Sequence, residues 1–233
     1  MTSSFRDRAD AGRQLAARLA GLQLQSPLVL GLPRGGIPIA AEVAAGLAAP
    51  FDAFVAQKIG APGHEELGVG AIAEGLSEPV ISPAAADIGL SPADVAGLAG
   101  IATDEVRRRV DRYRGDRPVP AVADRDVVLV DDGLATGITA EAALLALRER
   151  DPSQLILAVP VGPPQTVGRL EPAADQVICL KMPRFFQAVG EFYRDFSALS
   201  DDEVVRQLAT SIRLLRYIPD DLGVRRVARG PAG

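Results

Sequence analysis

Apolar positions fall into short runs separated by polar or glycine-rich punctuation, and the spacing inside each run predicts an element. Residues 3–20 place Phe5, Ala9, Leu15 and Leu19 among arginines and aspartates, the pattern of an amphipathic packing helix. "PLVLG" at 27–31 predicts a strand, 31–36 a glycine-rich turn, and 37–48 a helix, with Pro38 near its start where a missing N–H matters least. "FDAFVAQKIG" reads as a second apolar strand ending in Lys58. The next stretch, "APGHEELGVGAIAEGLSEPVIS", is rich in Gly, Pro and acids, with β-like pieces at 68–73 and 78–81; it predicts a hairpin or lid outside the core. Ser91 and Pro92 fit an N-cap and first helical position, with helix continuing to about Tyr113. Strands at 126–131, 154–160 and 176–181 then alternate with helices at about 137–150 and 164–171, and a last helix covers about 200–215. That alternation predicts an α/β fold: a parallel sheet with helices on both faces and a small lid region.

Composition narrows the materials. Only 4% of the 233 residues are aromatic and none is Trp, so the core must be built from Ala, Val, Leu and Ile. A net charge of -5 weighs against general nucleic-acid binding, which needs a basic face to displace phosphate counterions. Cys179 is the only cysteine, which excludes an intrachain disulfide and a cysteine metal cage and fits a reducing cytoplasm. The first twenty residues carry arginines and lack a hydrophobic signal core, and no apolar run reaches membrane-spanning length.

The chemistry concentrates in "VVLVDDGLATGITA", residues 127–140, where an apolar strand runs into two adjacent acids. In a parallel sheet, ligands collect at the carboxyl ends of strands. Asp131 and Asp132 at such an end need solvent, cations or hydroxyl donors, because burying two unpartnered carboxylates is costly. Carboxylates accept well from the vicinal hydroxyls of a ribose and from the waters of a magnesium ion. Downstream, Gly137 permits unusual backbone angles, Thr136 and Thr139 bring hydroxyls, and the first turn of a helix offers free N–H groups to a phosphate. The rival reading is a solvated Asp-Asp-Gly turn. No lysine follows the glycine, so this is not a Walker A loop.

Four apolar residues, two acids and "GLATGIT" together resemble the phosphoribosyl pyrophosphate (PRPP) signature of the type I phosphoribosyltransferases. The order of elements over roughly 27–181 resembles that family's Rossmann-like core, and "LPRGG", "KIGAPG" and "AVGEFYRDF" are similar to a branch predicted to be phosphoribosyltransferases. The resemblance implies a single domain over 1–233, with its core at about 22–181, a lid at about 60–118 and a C-terminal hood and helix at about 182–220. It implies Mg2+-dependent displacement of pyrophosphate from C1 of PRPP by a nitrogen nucleophile, usually a nucleobase, in a cytoplasmic homodimer. Asp131 and Asp132 match the acids that hold the ribose hydroxyls, and Ala135, Thr136, Gly137, Ile138 and Thr139 match the 5-phosphate loop. Arg34, Gly35 and Gly36 sit where the family keeps its pyrophosphate loop, and Lys58 where a basic residue meets pyrophosphate. Arg34, Lys58 and the acid pair are the catalytic candidates, with Mg2+ bound through PRPP and water rather than by a protein cage. Ala135 departs from the 6-oxopurine branch, which has an aspartate there, and so speaks against a hypoxanthine or guanine acceptor.

Other candidates carry two readings each. Arg107, Arg108, Arg109, Arg112, Arg114 and Arg117 cannot share one helix face; they form either a solvated, ion-paired surface or a mobile arm over PRPP. His64, the only histidine, reads as a surface loop residue or a catalyst, and Glu65 and Glu66 as solvated or lid-borne. Cys179 reads as a strand core residue. Phe185, Phe186, Phe192, Tyr193 and Phe196 form either a satellite core or a hood that stacks on a flat acceptor. Two function classes stand: a phosphoribosyltransferase, and a PRPP-binding regulator or sensor without transfer. Hydrolysis of a phosphorylated sugar is a third.

Overall fold

A computed structural model describes residues 4–117 and 119–216, with the side chains of Glu66 and of 210–216 left aside. In chain order the elements are α1 (Arg8–Leu19), β1 (Leu28–Gly31), α2 (Gly36–Leu47), β2 (Phe51–Ala53), β3 (Ala56–Ala61), β4 (His64–Ala73) and β5 (Val80–Ile81). They continue with α3 (Pro83–Asp87), α4 (Pro92–Arg114), β6 (Asp126–Val130), α5 (Ile138–Arg148), β7 (Gln154–Val161), α6 (Pro164–Leu170), β8 (Gln176–Lys181) and α7 (Asp201–Arg216). Five strands form one sheet in the order β2-β1-β6-β7-β8, every pair parallel, as the alternation predicts. The expected end of the hood at 217–220 lies outside the described residues, as does any side-chain role of Glu66.

The sheet is buried on both faces, which is why its strands read as unbroken apolar runs. Val128 and Val130 of β6 join one core cluster with Leu15 of α1 and Val43 of α2. Their neighbours Val127 and Leu129 join the other, with Leu144 and Leu147 of α5 and Leu170 of α6. The strand period of two thus divides one sequence run between two helix layers.

Two expectations need correction. "FDAFVAQKIG" is not one strand: β2 pairs with β1 only from Phe51 to Ala53, and β3 then pairs antiparallel with β4 in a separate three-stranded sheet, β3-β4-β5. The cause is the shortness of β1. Its last register partner is Gly31↔Ala53, and after Phe54 N–H donates to the Gly31 carbonyl at 3.0 Å that sheet offers no further partner. Lys58 is therefore the third residue of a flap strand rather than the end of a core strand. The first helix begins at Arg8 rather than 3, because Asp7 caps it by accepting from Asp10 N–H at 2.7 Å. Phe5 instead bridges to Tyr193, with Phe5 N–H donating to the Phe192 carbonyl at 2.8 Å.

The flap sheet is held between two helices. Ile59, Val69 and Ile72 pack with Val95, Ala102 and Val106 of α4, while Ala71 and Ala73 join the cluster of α5. Ser91 and Asp94 form a capping box at the start of α4, satisfying otherwise orphaned N–H groups. Among the described residues, no helix is long and apolar enough to cross a membrane.

Candidate functional site

Strand order reverses between β1 and β6: β2 lies outside the first, and β7 and β8 outside the second. Loops leaving neighbouring strands at such a switch point splay apart and open a crevice at the carboxyl ends. Here the crevice lies between the loop after β1, residues 32–36, and the loop after β6, residues 131–137. They are stitched at the base by Leu32 N–H donating to the Val130 carbonyl at 2.8 Å.

Gly35 and Gly36 are required by that approach. A Cβ on Gly35 would lie 1.8 Å from Asp132 Oδ2, and one on Gly36 would lie 2.5 Å from the Val130 carbonyl. The Pro33–Arg34 peptide is cis, and Arg34 is exposed at the rim. Gly35 and Gly36 thus lie against Asp132 and Asp131, while Arg34 is exposed in the same loop.

The acid pair is half-buried at the end of β6. Burial, then the neighbouring Asp132 charge, pushes the Asp131 carboxyl well above the usual carboxylate range, although it accepts from Asp132 N–H at 2.8 Å. Asp132 is also raised by burial, against the pull of Arg8, whose Nε donates to Asp132 Oδ2 at 3.0 Å. Arg8 is itself fixed: its Nη1 donates to the Ser197 carbonyl at 2.8 Å and its guanidinium lies 3.9 Å above the Phe196 ring. Tyr193 completes the frame by donating its hydroxyl to the Asp132 carbonyl at 2.6 Å. Tyr193 stood out from the sequence only as part of a possible hood, and Arg8 did not stand out; the Arg8–Asp132 pair spans 124 residues of chain, and no local spacing announces it.

The 135–139 loop ends at Gly137, which takes a left-handed conformation, φ 72°, as N-cap of α5. The N–H groups of Ala135, Thr136, Gly137, Ile138 and Thr139 find no acceptor among the described residues. A run of free N–H groups before a helix favours anions. The carbonyls on the other side of the loop are engaged: Thr166 Oγ1 donates to the Ala135 carbonyl at 2.9 Å, and Arg169 Nη2 donates to that of Thr136.

Lys58 lies apart from the acid pair's immediate frame. Its stem packs over Gly68, where an added Cβ would be 3.1 Å from Lys58 Cδ and 3.7 Å from Ile138 Cγ2, so this part of the flap lies beside the start of α5. The arginine cluster is mostly an ion-paired surface. Arg108 and Arg109 hold Glu105, whose carboxyl is lowered to about 2 mainly by the Arg108 hydrogen bond, and Arg112 pairs with Asp202 at 2.6 Å. Arg114 and Arg117 instead brace the fold, Arg114 donating to Glu74 at 2.9 Å and Arg117 to Asp52 at 2.8 Å.

His64 and Glu65 are exposed at the β3–β4 turn. Cys179 is half-buried in β8, and burial raises its thiol to about 11. In the aromatic segment Phe186 stacks on Phe192 with centroids 5.5 Å apart and Tyr193 packs on Phe196 at 5.0 Å; Phe192 and Tyr193 join the core cluster of Phe5 and Leu15 rather than a separate satellite core, and Phe185 alone of the five projects outward, 93% exposed. Among the described residues, no group of three or more His, Cys, Asp or Glu is arranged to hold a metal.

Comparison with known proteins agrees with this architecture. A family model described as the phosphoribosyl transferase domain matches residues 3–196. Two Mycobacterium tuberculosis proteins, of strains H37Rv and CDC 1551 / Oshkosh and both provisionally named as phosphoribosyl transferases, are 45% identical over 201 residues, 86% of this chain and 45% of theirs. The chain thus spans under half the length of these curated relatives. The crystal structure of a Thermus thermophilus protein designated TT1426 matches with a TM-score of 0.75 at 43% identity, covering 89% of this chain and 98% of that one.

Proposed function

The chain belongs to the phosphoribosyl transferase family, a family of transferase enzymes, and from that membership we propose that it transfers the 5-phosphoribosyl group of PRPP to a nitrogen nucleophile, releasing pyrophosphate. The observation that carries this reading is the meeting, across one switch point, of an acid pair, a turn of free N–H groups and the Arg34–Gly36 loop. In this reading the N–H groups of 135–139 take the 5-phosphate. Asp131, which has no ion pair among the described residues, accepts from the ribose hydroxyls, joined by Asp132 through the oxygen that Arg8 leaves open.

Breaking the bond from C1 to pyrophosphate develops positive charge on the sugar and negative charge on the leaving group, so positioned charges and donors do most of the catalytic work. Arg34 at the crevice rim and Lys58 on the flap are the cations assigned to pyrophosphate. The acid pair lies on the sugar side, where its charge suits the developing cation. The donor set fits Mg2+ only as an ion held chiefly by substrate oxygens and water, with Asp131 the carboxylate nearest to hand; when bound, it would neutralise the leaving pyrophosphate. A heterocyclic nitrogen base is the acceptor class implied, and a homodimer the implied assembly.

Calorimetry with PRPP, with and without Mg2+, tests the site, and pyrophosphate release across a panel of bases and amines tests the transfer. We expect binding that Asp131→Asn with Asp132→Asn abolishes, and release with at least one acceptor. Absence of PRPP binding at millimolar ligand would sink the reading. Tight binding without turnover on any acceptor would reduce it to that of a PRPP sensor.

A further inference from the structure

We infer that α6 is a clamp that shapes the 135–137 loop into an anion nest, with Thr166 and Arg169 as positioning residues for the sugar 5-phosphate. This rests on the proposed reading that the loop takes that phosphate. Thr166 and Arg169 stand three residues apart, on one face of α6, and grip two successive carbonyls. The third carbonyl, of Gly137, is taken by Glu141 N–H at 2.9 Å. Three consecutive oxygens are thereby held on one side, while the intervening N–H groups have no acceptor among the described residues.

An anion requires that arrangement, because a single peptide turned over would present a carbonyl dipole to a phosphate oxygen. Glycine beside such a peptide makes the turn-over easy, since Gly137 can leave its left-handed conformation at little steric cost. The clamp removes that freedom. Its platform is rigid, with Val167 and Leu170 of α6 buried in the core below the loop. The fit above is close: a Cβ on Gly137 would lie 2.7 Å from Thr166 Cγ2 and 3.1 Å from Leu170 Cδ1.

Arg169 has a second task. Its Nη1 pairs with Glu141, the one acid in the first turn of α5. A carboxylate there competes with a bound phosphate for the same helix dipole, and pairing with Arg169 neutralises it. One side chain thus orients the loop and removes its competitor. Affinity for the phosphate end of the substrate depends on α6, although no α6 residue needs to touch the ligand.

The test is calorimetry on the full chain with PRPP, ribose 5-phosphate and inorganic pyrophosphate, for wild type, Thr166→Val, Thr166→Ser and Arg169→Met. Loss of one gripping bond should weaken PRPP and ribose 5-phosphate by about tenfold each and leave pyrophosphate unaffected. Thr166→Ser should recover wild-type affinity, and in turnover the loss should enter through KM for PRPP rather than kcat. Variants that bind ribose 5-phosphate like wild type would overturn the clamp. So would an equal loss of pyrophosphate, which marks general damage to the site, or a Ser variant as weak as the Val one. Wild type binding neither PRPP nor ribose 5-phosphate would instead remove the functional reading, and the clamp with it.

Discussion

Two acidic centres lie at strand ends in this molecule, a buried one in the flap and a half-buried one in the parallel core. Glu74 follows β4 and meets two arginines: Arg114 Nη2 donates to both its oxygens at 2.9 and 3.1 Å, and Arg150 stands 3.9 Å away. Asp131 and Asp132 follow β6 and meet one, Arg8. Burial raises the acids at both places, and only in the flap do the chain's own cations outnumber them. The flap centre is complete and structural. The core centre is one cation short, a deficit that a ligand's hydroxyls or a hydrated metal ion can make good.

The largest expected effect comes from breaking the complete centre. Arg114→Met leaves Glu74 buried with only the distant Arg150, and unfolding free energy should fall by about 3–5 kcal/mol in denaturant titration. A fall under about 1 kcal/mol would mean Glu74 simply takes up a proton, and the contrast between the centres would weaken.

Gly35→Ala tests the core centre without altering a charge. Its methyl overlaps Asp132 Oδ2, so the acid pair must move away from the Arg34 loop, and PRPP affinity should drop by about 100-fold, roughly 2.7 kcal/mol. An unchanged Kd would separate the two loops as functional partners.

Asp131→Asn sharpens the comparison through pH. An acid raised on folding contributes its stability at low pH and loses it as pH rises through the folded-state value. The Asn variant should therefore melt higher than wild type at neutral pH, with the gain gone below about pH 4, while PRPP binding weakens at neutral pH. A melting temperature below wild type at neutral pH would count against an undercompensated site.

The smallest effect belongs to the surface arginines. Arg108 is 49% exposed, and Arg108→Gln should leave the denaturant midpoint unchanged, because solvent screens the pair. Its mark would be Glu105, whose carboxyl is held near 2 and should titrate higher in the variant, as NMR would read. A large loss of PRPP affinity in Arg108→Gln would revive the mobile-arm reading.

What was legible followed from periodicity and local chemistry. The run Val127–Val130 marked a strand buried on both faces, the acids after it marked its ligand end, and Gly137 marked the turn before a helix. The flap was legible as a hairpin but not in its register, because the residues that make "FDAFVAQKIG" look continuous are the same on both sides of the crossover at Phe54 and Val55. The split depended on where β1 runs out of partners. The arginine cluster was ambiguous for a related reason: helical spacing assigns each side chain a direction but not what lies there, Asp52 and Glu74 for some and Asp202 for another.

The sequence alone determined the alternating elements, the acid pair and Gly137, because strand period, caps and positive φ are set by neighbours along the chain. Tertiary structure alone decided that Arg8 neutralises Asp132, that Thr166 and Arg169 hold the loop carbonyls, and that Lys58 rides on the flap. Those partners lie 124, 31, 33 and, for the Lys58–Ala71 pairing, 13 positions apart, and folding brings them together by burying apolar surface that carries no label for the polar contacts at its edge.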